Sequence, residues 1–285
     1  MSDVQTYVVN CPDKGLKRAI SYLEENYLLK DRRSINIDEK ILGTMHHNCN
    51  VVDSLELLDG MKVFTSQSHP LILNGTGTYH HFTYGFCRKI VDRFETPYTI
   101  IHFDHHSDGS NEPYTFKSAI NRDITCGNYY KRLMADSDYV KSVIWIKDPA
   151  IMRSVNRKGK VIEPSKKEYE LTMRNYNYLI LQEEIKKAVE RTMSITLYNT
   201  LKNIDTDKIY ITVDLDVLSH EHVDTDWENG NMHLDFLLRF LESLKENGKD
   251  FIGADICGLP RGDNFDLNSM ATFSKVYYTL YSAMS

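Results

Sequence analysis

A chain of 285 residues is long enough to bury a substantial core, in one large α/β domain or two small ones. Its 41% hydrophobic and 26% charged residues are the balance of a soluble globular protein and argue against a disordered or membrane-embedded chain. A net charge of −6 argues against a dedicated nucleic-acid binder and mildly favours a cationic substrate. In chain order, Tyr7-Val8-Val9 reads as a first strand, and Asp13 is placed to cap a helix whose apolar residues Leu16, Ile20 and Leu23 recur at helical spacing. Residues from about Arg32 to Leu58 are polar and show no clear period. Lys62–Phe64 and Leu71–Leu73 read as short strands, and a helix is expected from near Thr78 towards Phe94. Thr99–Phe103 and Val143–Ile146 are strong buried-strand signals, the second stopped by Asp148-Pro149.

Residues 152–176 are basic and polar and read as a surface excursion, with Arg153–Lys167 a solvated loop. Tyr178–Leu181 reads as a strand followed by a helix from Glu183 to about Leu201. Lys208–Val213, a helix His233–Glu246, a strand Phe251–Asp255 and a closing helix Asn268–Ala283 complete the chain. Strands alternating with helices predict a mainly parallel sheet with helices on both faces. No repeat or linker interrupts the pattern, so residues 1–285 are expected to form a single domain. No apolar run reaches the length that crosses a bilayer, and the N-terminal residues lack a secretory pattern. The five cysteines (Cys11, Cys49, Cys87, Cys126, Cys257) are scattered and odd in number, and read as reduced thiols of a cytoplasmic protein.

In such sheets, sites form outside the carboxyl ends of the strands. The strand Thr99–Phe103 runs into Asp104-His105-His106-Ser107-Asp108, where alternation along an extended segment would let Asp104, His106 and Asp108 converge. The strand Lys208–Val213 runs into Asp214-Leu215-Asp216, with two carboxylates expected on one side. Carboxylates gathered at the end of a buried strand repel one another and lose solvation, and a bound cation relieves both costs. Four carboxylates and an imidazole suit manganese and related metals better than the thiolate sets of structural zinc. They also carry more negative charge than one divalent ion needs, which points to two ions sharing ligands.

Three segments resemble the arginase and agmatinase family of ureohydrolases. Gly77-Thr78-Tyr79-His80-His81-Phe82 is similar to the family's Gly-Gly-Asp-His-Ser stretch, Asp104-His105-His106-Ser107-Asp108 to its Asp-Ala-His-x-Asp, and Asp214-Leu215-Asp216-Val217-Leu218 to its Asp-x-Asp-x-Leu. The resemblance implies a three-layer α/β fold and a pair of Mn²⁺ ions. One ion would take His80, Asp104, Asp108 and Asp214, and the other His106, Asp104, Asp214 and Asp216. It also implies hydrolysis of a guanidino C–N bond by metal-activated water, giving urea and an amine. Members often assemble as trimers or hexamers, so a homo-oligomer is an expectation of the resemblance alone. His81 becomes the ligand if the alignment slips by one.

The chain departs from the family at three places, one of them Ser219-His220-Glu221-His222, where an Asp-Pro often follows the Asp-x-Asp motif. Gly258 of Asp255-Ile256-Cys257-Gly258-Leu259-Pro260 stands where a guanidinium-binding glutamate is usual, and is read here as leaving space for a bulkier substrate. Cys126 of Cys126-Gly127 aligns with the proton-shuttling histidine, and a thiol is a poor substitute for imidazole at neutral pH. His105, His220 and Asp226 are the groups that could compensate, and Asp148 is a candidate contact for a substrate amino group. Thr125–Asn128 with Tyr129-Tyr130 is similar to a more distant branch that includes peptide arginases, which convert arginine side chains to ornithine; Asn128 is the substrate contact this implies. The expected partner is therefore a guanidino small molecule or an arginine-containing peptide. Another linear amidine or amide substrate, or a non-catalytic metal-binding homologue, is the alternative.

Overall fold

The computed structural model describes residues 4–29, 32–43, 45–46, 49–63, 68–108, 122–148, 152–156, 161–162, 196–262 and 265–285. Within them, ten strands join one sheet: β1 (Val4–Val9), β2 (Arg32–Ile37), β3 (Met61–Val63), β4 (His69–Leu73), β5 (Tyr98–Phe103), β6 (Val140–Ile146), β7 (Met152–Asn156), β8 (Val161–Ile162), β9 (Lys208–Asp214) and β10 (Asp250–Cys257). Their order across the sheet is β8-β7-β6-β5-β9-β10-β4-β1-β2-β3. From β6 through β2 every pairing is parallel; the edges, β7–β8 beyond β6 and β3 beyond β2, are antiparallel. β5 is buried along its whole length, and β9 and β10 at every residue but the first, because both faces are covered. That explains why these strands are continuous apolar runs rather than alternating ones.

Besides a short helix at Glu39–Gly43, the helices among the described residues are α1 (Lys14–Glu25), α2 (Ser54–Gly60), α3 (Phe82–Phe86), α4 (Tyr129–Asp136), α5 (196–203), α6 (Leu234–Glu246) and α7 (Leu267–Met284). They form two groups: α7 packs on α1, α6 and β10, whereas α3 packs on α2 and α4, and α4 on β6. The result is the mainly parallel sheet between two helical layers that the alternating pattern predicts. In α6, Leu234, Leu237, Leu241 and Leu244 recur at spacings of three and four and are buried with Phe236 and Phe240. Each such side chain contributes about 1.5–3 kcal/mol when removed from water. No helix among the described residues is long and apolar enough to cross a membrane.

Several local expectations need correction. Asp13 stands at the N-cap position of α1 but makes no capping hydrogen bond; its carboxylate accepts the Thr76 N–H at 3.1 Å and so ties α1 to the loop after β4. The segment from Thr78 to Phe94 is helical, yet broken into a 3₁₀ turn (Gly77–Tyr79), α3, a π-turn (Cys87–Val91) and a second 3₁₀ turn (Asp92–Phe94). The featureless stretch after Arg32 contains β2, which pairs in parallel with β1. The excursion after residue 151 returns to the sheet as β7 and β8. Tyr178–Leu181 and most of the helix expected after it lie outside the described residues; only 196–203 are described as helix.

Candidate metal centre

Strand register stacks two polar levels at the carboxyl rim. Thr212 of β9 is level with His102 of β5 and with Asp255 of β10. Strand side chains alternate with a period of two. The next residues on the same face are therefore Asp104, Asp214 and Cys257, with Asp214 level with Cys257. β4 ends at Leu73, and the loop beyond it brings His80 onto this rim.

His80 Nδ1 lies 3.0 Å from both Asp104 Oδ2 and Asp108 Oδ2, and 3.5 Å from Asp214 Oδ2. All four residues are buried. Despite these distances, His80 Nδ1 and Asp108 Oδ2 have no hydrogen-bond partner. A ring nitrogen and three carboxylate oxygens gathered this closely are the kind of donor set that a cation takes. On the other side, His106 Nδ1 lies 2.9 Å from Asp216 Oδ2 and 3.6 Å from Asp104 Oδ1. The donor atoms of Asp104, His106 and Asp216 fall within 4.8 Å of one another, as do those of His80, His102, Asp104 and Asp108. Asp104 belongs to both groups.

Strand alternation does not produce this convergence. β5 stops at Phe103 and β9 at Asp214. Asp216 sits on a 3₁₀ turn, Leu215–Val217, and its backbone N–H donates to Asp214 Oδ1 at 3.1 Å. Asp108 is reached through a turn and adopts a left-handed backbone, φ 46°. That conformation costs an aspartate roughly 1 kcal/mol or more and is held only where the surroundings demand it.

Without a cation the charges are balanced by protons. Burial, together with the Asp104 charge beside them, raises the carboxyls of Asp108 and Asp214 above the usual range, and burial with the neighbouring Asp214 charge raises that of Asp216. Burial pushes Asp104 the same way, but His106 and His80 hold it well below. Burial opposes protonation of His106, yet Asp104 and Asp216 hold its imidazole up to about 11. The residues fit a cationic ligand: protons now do the work that metal charge would do.

Beneath the ligand level, Asp255 accepts from Thr212 Oγ1 at 2.9 Å, from Tyr210 at 2.7 Å and from Thr83 at 3.1 Å. Burial pushes its carboxyl up to about 6. Thr212 Oγ1 is also 2.7 Å from His80 Nε2. The single hydroxyl proton goes to Asp255, so Thr212 accepts the Nε2–H of His80, and Nδ1 is the nitrogen left to face the carboxylates and any cation among them. His81 points elsewhere, with Nε2 2.8 Å from Asn50 Oδ1, and burial pushes it down to about 3.

The remaining candidates fall at different depths. His105 is beside the cluster: its backbone N–H donates to Asp216 Oδ1 at 3.1 Å, and its ring stands at 89° to that of His106. Asp148 is buried two residues beyond β6, whose terminal carbonyl receives the Asp104 N–H. Cys126 is buried in the turn that leads into α4. Asn128 closes that same turn, accepting from Thr125 N at 2.8 Å. His220 is exposed, 3.2 Å from Asp224. Asp226 is exposed too and joins two loops, accepting from Arg261 N at 2.8 Å and Thr76 Oγ1 at 3.4 Å. Gly258 leaves no space for a substrate, contrary to the reading from sequence: at φ 90°, a Cβ there would run into Asp214 Oδ1 and lie 2.6 Å from Leu215 N. Gly77 is pressed in the same way, its Cβ position 2.7 Å from Asp214 Oδ2 and 3.2 Å from Trp227.

A further grouping is Glu221, His222 and His233, which shares no residue with the cluster around Asp104. There His233 Nδ1 accepts the Asp235 N–H, so the ring nitrogen turned towards Glu221, Nε2, carries a hydrogen and is a donor. Sequence reasoning passed over His102, Tyr129 and Thr212. The available signal was polar side chains two residues before Asp104 and Asp214 in otherwise apolar strands.

A family model described as Arginase family matches residues 16–260. No curated protein sequence matches. Among solved structures, an arginase from Bacillus caldovelox aligns over 100% of this chain and 98% of its own, with 14% identity and a TM-score of 0.56. An Entamoeba histolytica arginase in complex with L-ornithine aligns over 99% of each chain, with 14% identity and a TM-score of 0.57. A proclavaminate amidino hydrolase from Streptomyces clavuligerus aligns over 100% and 93%, with 13% identity and a TM-score of 0.55. At these identities the structural likeness speaks for the fold.

Proposed function

The chain belongs to the arginase family, and from that premise we propose that it is a binuclear manganese amidinohydrolase that cleaves a guanidino C–N bond and releases urea. The observation that carries this reading is the convergence of buried His80 and Asp108 on one side of Asp104 and of half-buried His106 and buried Asp216 on the other. His80, Asp104, Asp108 and Asp214 would hold one ion; His106, Asp104, Asp214 and Asp216 would hold the other. Their oxygen-rich donor set suits manganese. When bound, a pair of divalent cations supplies hydroxide at neutral pH and stabilises charge that develops at the reacting carbon.

The chain's own residues set the geometry for that chemistry. Thr212 and Asp255 aim His80. The backbone N–H groups of His105 and Asp216 orient Asp216 and Asp214 respectively. Trp227 stands edge-on to His106 with ring centroids 5.6 Å apart, and Asp226 beside it ties this loop to Arg261 and Thr76. His105 is the titratable candidate beside the cluster for moving a proton, in the role that Cys126 would fill poorly.

The closed space at Gly258 favours a substrate held by groups other than a glutamate at that position. An arginine side chain within a peptide, converted to ornithine, fits such a change, as does another linear amidine or amide. The test is urea release from the manganese-loaded chain with arginine, agmatine, guanidinobutyrate and arginine-containing peptides. Urea from at least one of them is expected. Two bound ions with no turnover of any would overturn the guanidino reading and leave a metal-binding homologue.

A further inference from the structure

His102 lies in the middle of the β5 rim, fully buried, and has no place in the ligand sets above. Its Nε2 is 3.4 Å from Asp104 Oδ2 and 3.9 Å from Asp108 Oδ2, without a hydrogen-bond partner, and its Nδ1 is 3.3 Å from the hydroxyl of Tyr129. By distance alone it could be a further ligand, since its nitrogen lies among the donors of His80, Asp104 and Asp108.

Proton accounting decides otherwise. Thr212 already accepts the Nε2–H of His80, as its own proton is spent on Asp255. Tyr129 also lies 3.3 Å from His80 Nε2, but that nitrogen carries a hydrogen and cannot accept one. The acceptor left for the Tyr129 hydroxyl is His102 Nδ1. A neutral ring that accepts at Nδ1 carries its proton on Nε2, so the edge of His102 turned to the carboxylates is an N–H, not a lone pair.

We propose that His102 is a positioning residue of the metal centre and not a ligand: fixed in its Nε2–H form by Tyr129, it turns that N–H towards Asp104 Oδ2, 3.4 Å away, and steadies this carboxylate once a metal is bound. This deepens the functional reading above and rests on that carboxylate holding a metal. Donors of this kind aim ligands, and their loss typically weakens metal affinity about 10–100-fold.

The experiment uses the full chain labelled with ¹⁵N-histidine and loaded with ¹¹³Cd²⁺, a spin-½ stand-in for the native ion. Expected are ¹¹³Cd–¹⁵N couplings at His80 Nδ1 and at His106, none at His102, and an Nε2-bound proton on His102. Cadmium coupling at His102 as well as at His80 would make it a ligand and overturn this inference alone. No coupling at any histidine would overturn the metal centre and this inference with it. In a second arm, manganese affinity should fall roughly 10–100-fold in His102→Leu and recover to within a few-fold in His102→Gln, which keeps a donor. Tyr129→Phe should spread His102 over both tautomers. Unchanged affinity in a folded His102→Leu chain, or no recovery in His102→Gln, would also overturn it. The spectroscopic arm needs no substitution and stands even if a variant fails to fold.

Discussion

The carboxylate of Asp214 occupies the place where a side chain at Gly258 would begin. Gly258 also needs its positive φ of 90°, which other residues adopt only with strain. Gly258→Ala should therefore displace Asp214, lower stability by about 1–3 kcal/mol and reduce bound metal. Restoring an acid with Gly258→Glu should worsen both and not create arginine turnover. Thermal denaturation and metal analysis read the outcome; an unperturbed Gly258→Ala chain would contradict it.

Shared and unshared ligands should separate by stoichiometry. Asp104→Asn and Asp214→Asn are expected to lose both manganese ions and all hydrolysis. His106→Asn and Asp216→Asn should keep one ion per chain, and His80→Asn the other. Elemental analysis of dialysed protein distinguishes these cases, and two retained ions in Asp104→Asn would rule out its bridging role.

Metal binding should become tighter as pH rises. Burial and neighbouring charge raise Asp108, Asp214 and Asp216, and His106, held up to about 11, carries a proton at neutral pH. An incoming ion must expel that proton. Titrating Mn²⁺ into a weakly buffered sample at neutral pH should acidify it. No proton release would mean that the site is already ionised.

In the metal-free chain, Asp255 should make stability fall as pH rises. Its carboxyl is pushed up to about 6 from 3.8 by burial, so between these values the folded chain binds the proton better than the unfolded one. The stabilisation is complete below about pH 4 and is lost as pH climbs through about 6. Its size is on the order of 3 kcal/mol. Urea denaturation of wild type and Asp255→Asn across this window isolates the effect. Identical slopes would refute the assignment.

Thr212→Val keeps shape but removes the oxygen between His80 and Asp255. Metal affinity should drop about 10–100-fold, whereas Thr212→Ser should stay near wild type. Isothermal titration with Mn²⁺ measures both; equal affinity in Thr212→Val would show that His80 needs no such support.

Much of the fold is written in the amino-acid sequence. The apolar runs of β5, β9 and β10, and the acidic residues at their ends, follow from chain-local rules: burial on both faces demands apolar side chains, and strand ends are where polar groups can meet. That alone determined a parallel α/β sheet with Asp104, Asp108, Asp214 and Asp216 at its rim. Only the tertiary structure decided which polar groups stand on one level. Levelling Thr212 with His102 and Asp255 depends on register between strands far apart in sequence, and no period within one strand encodes it. The same holds for Gly258: a missing side chain looks like open space in a sequence, and becomes a filled contact only when β9 folds beside it.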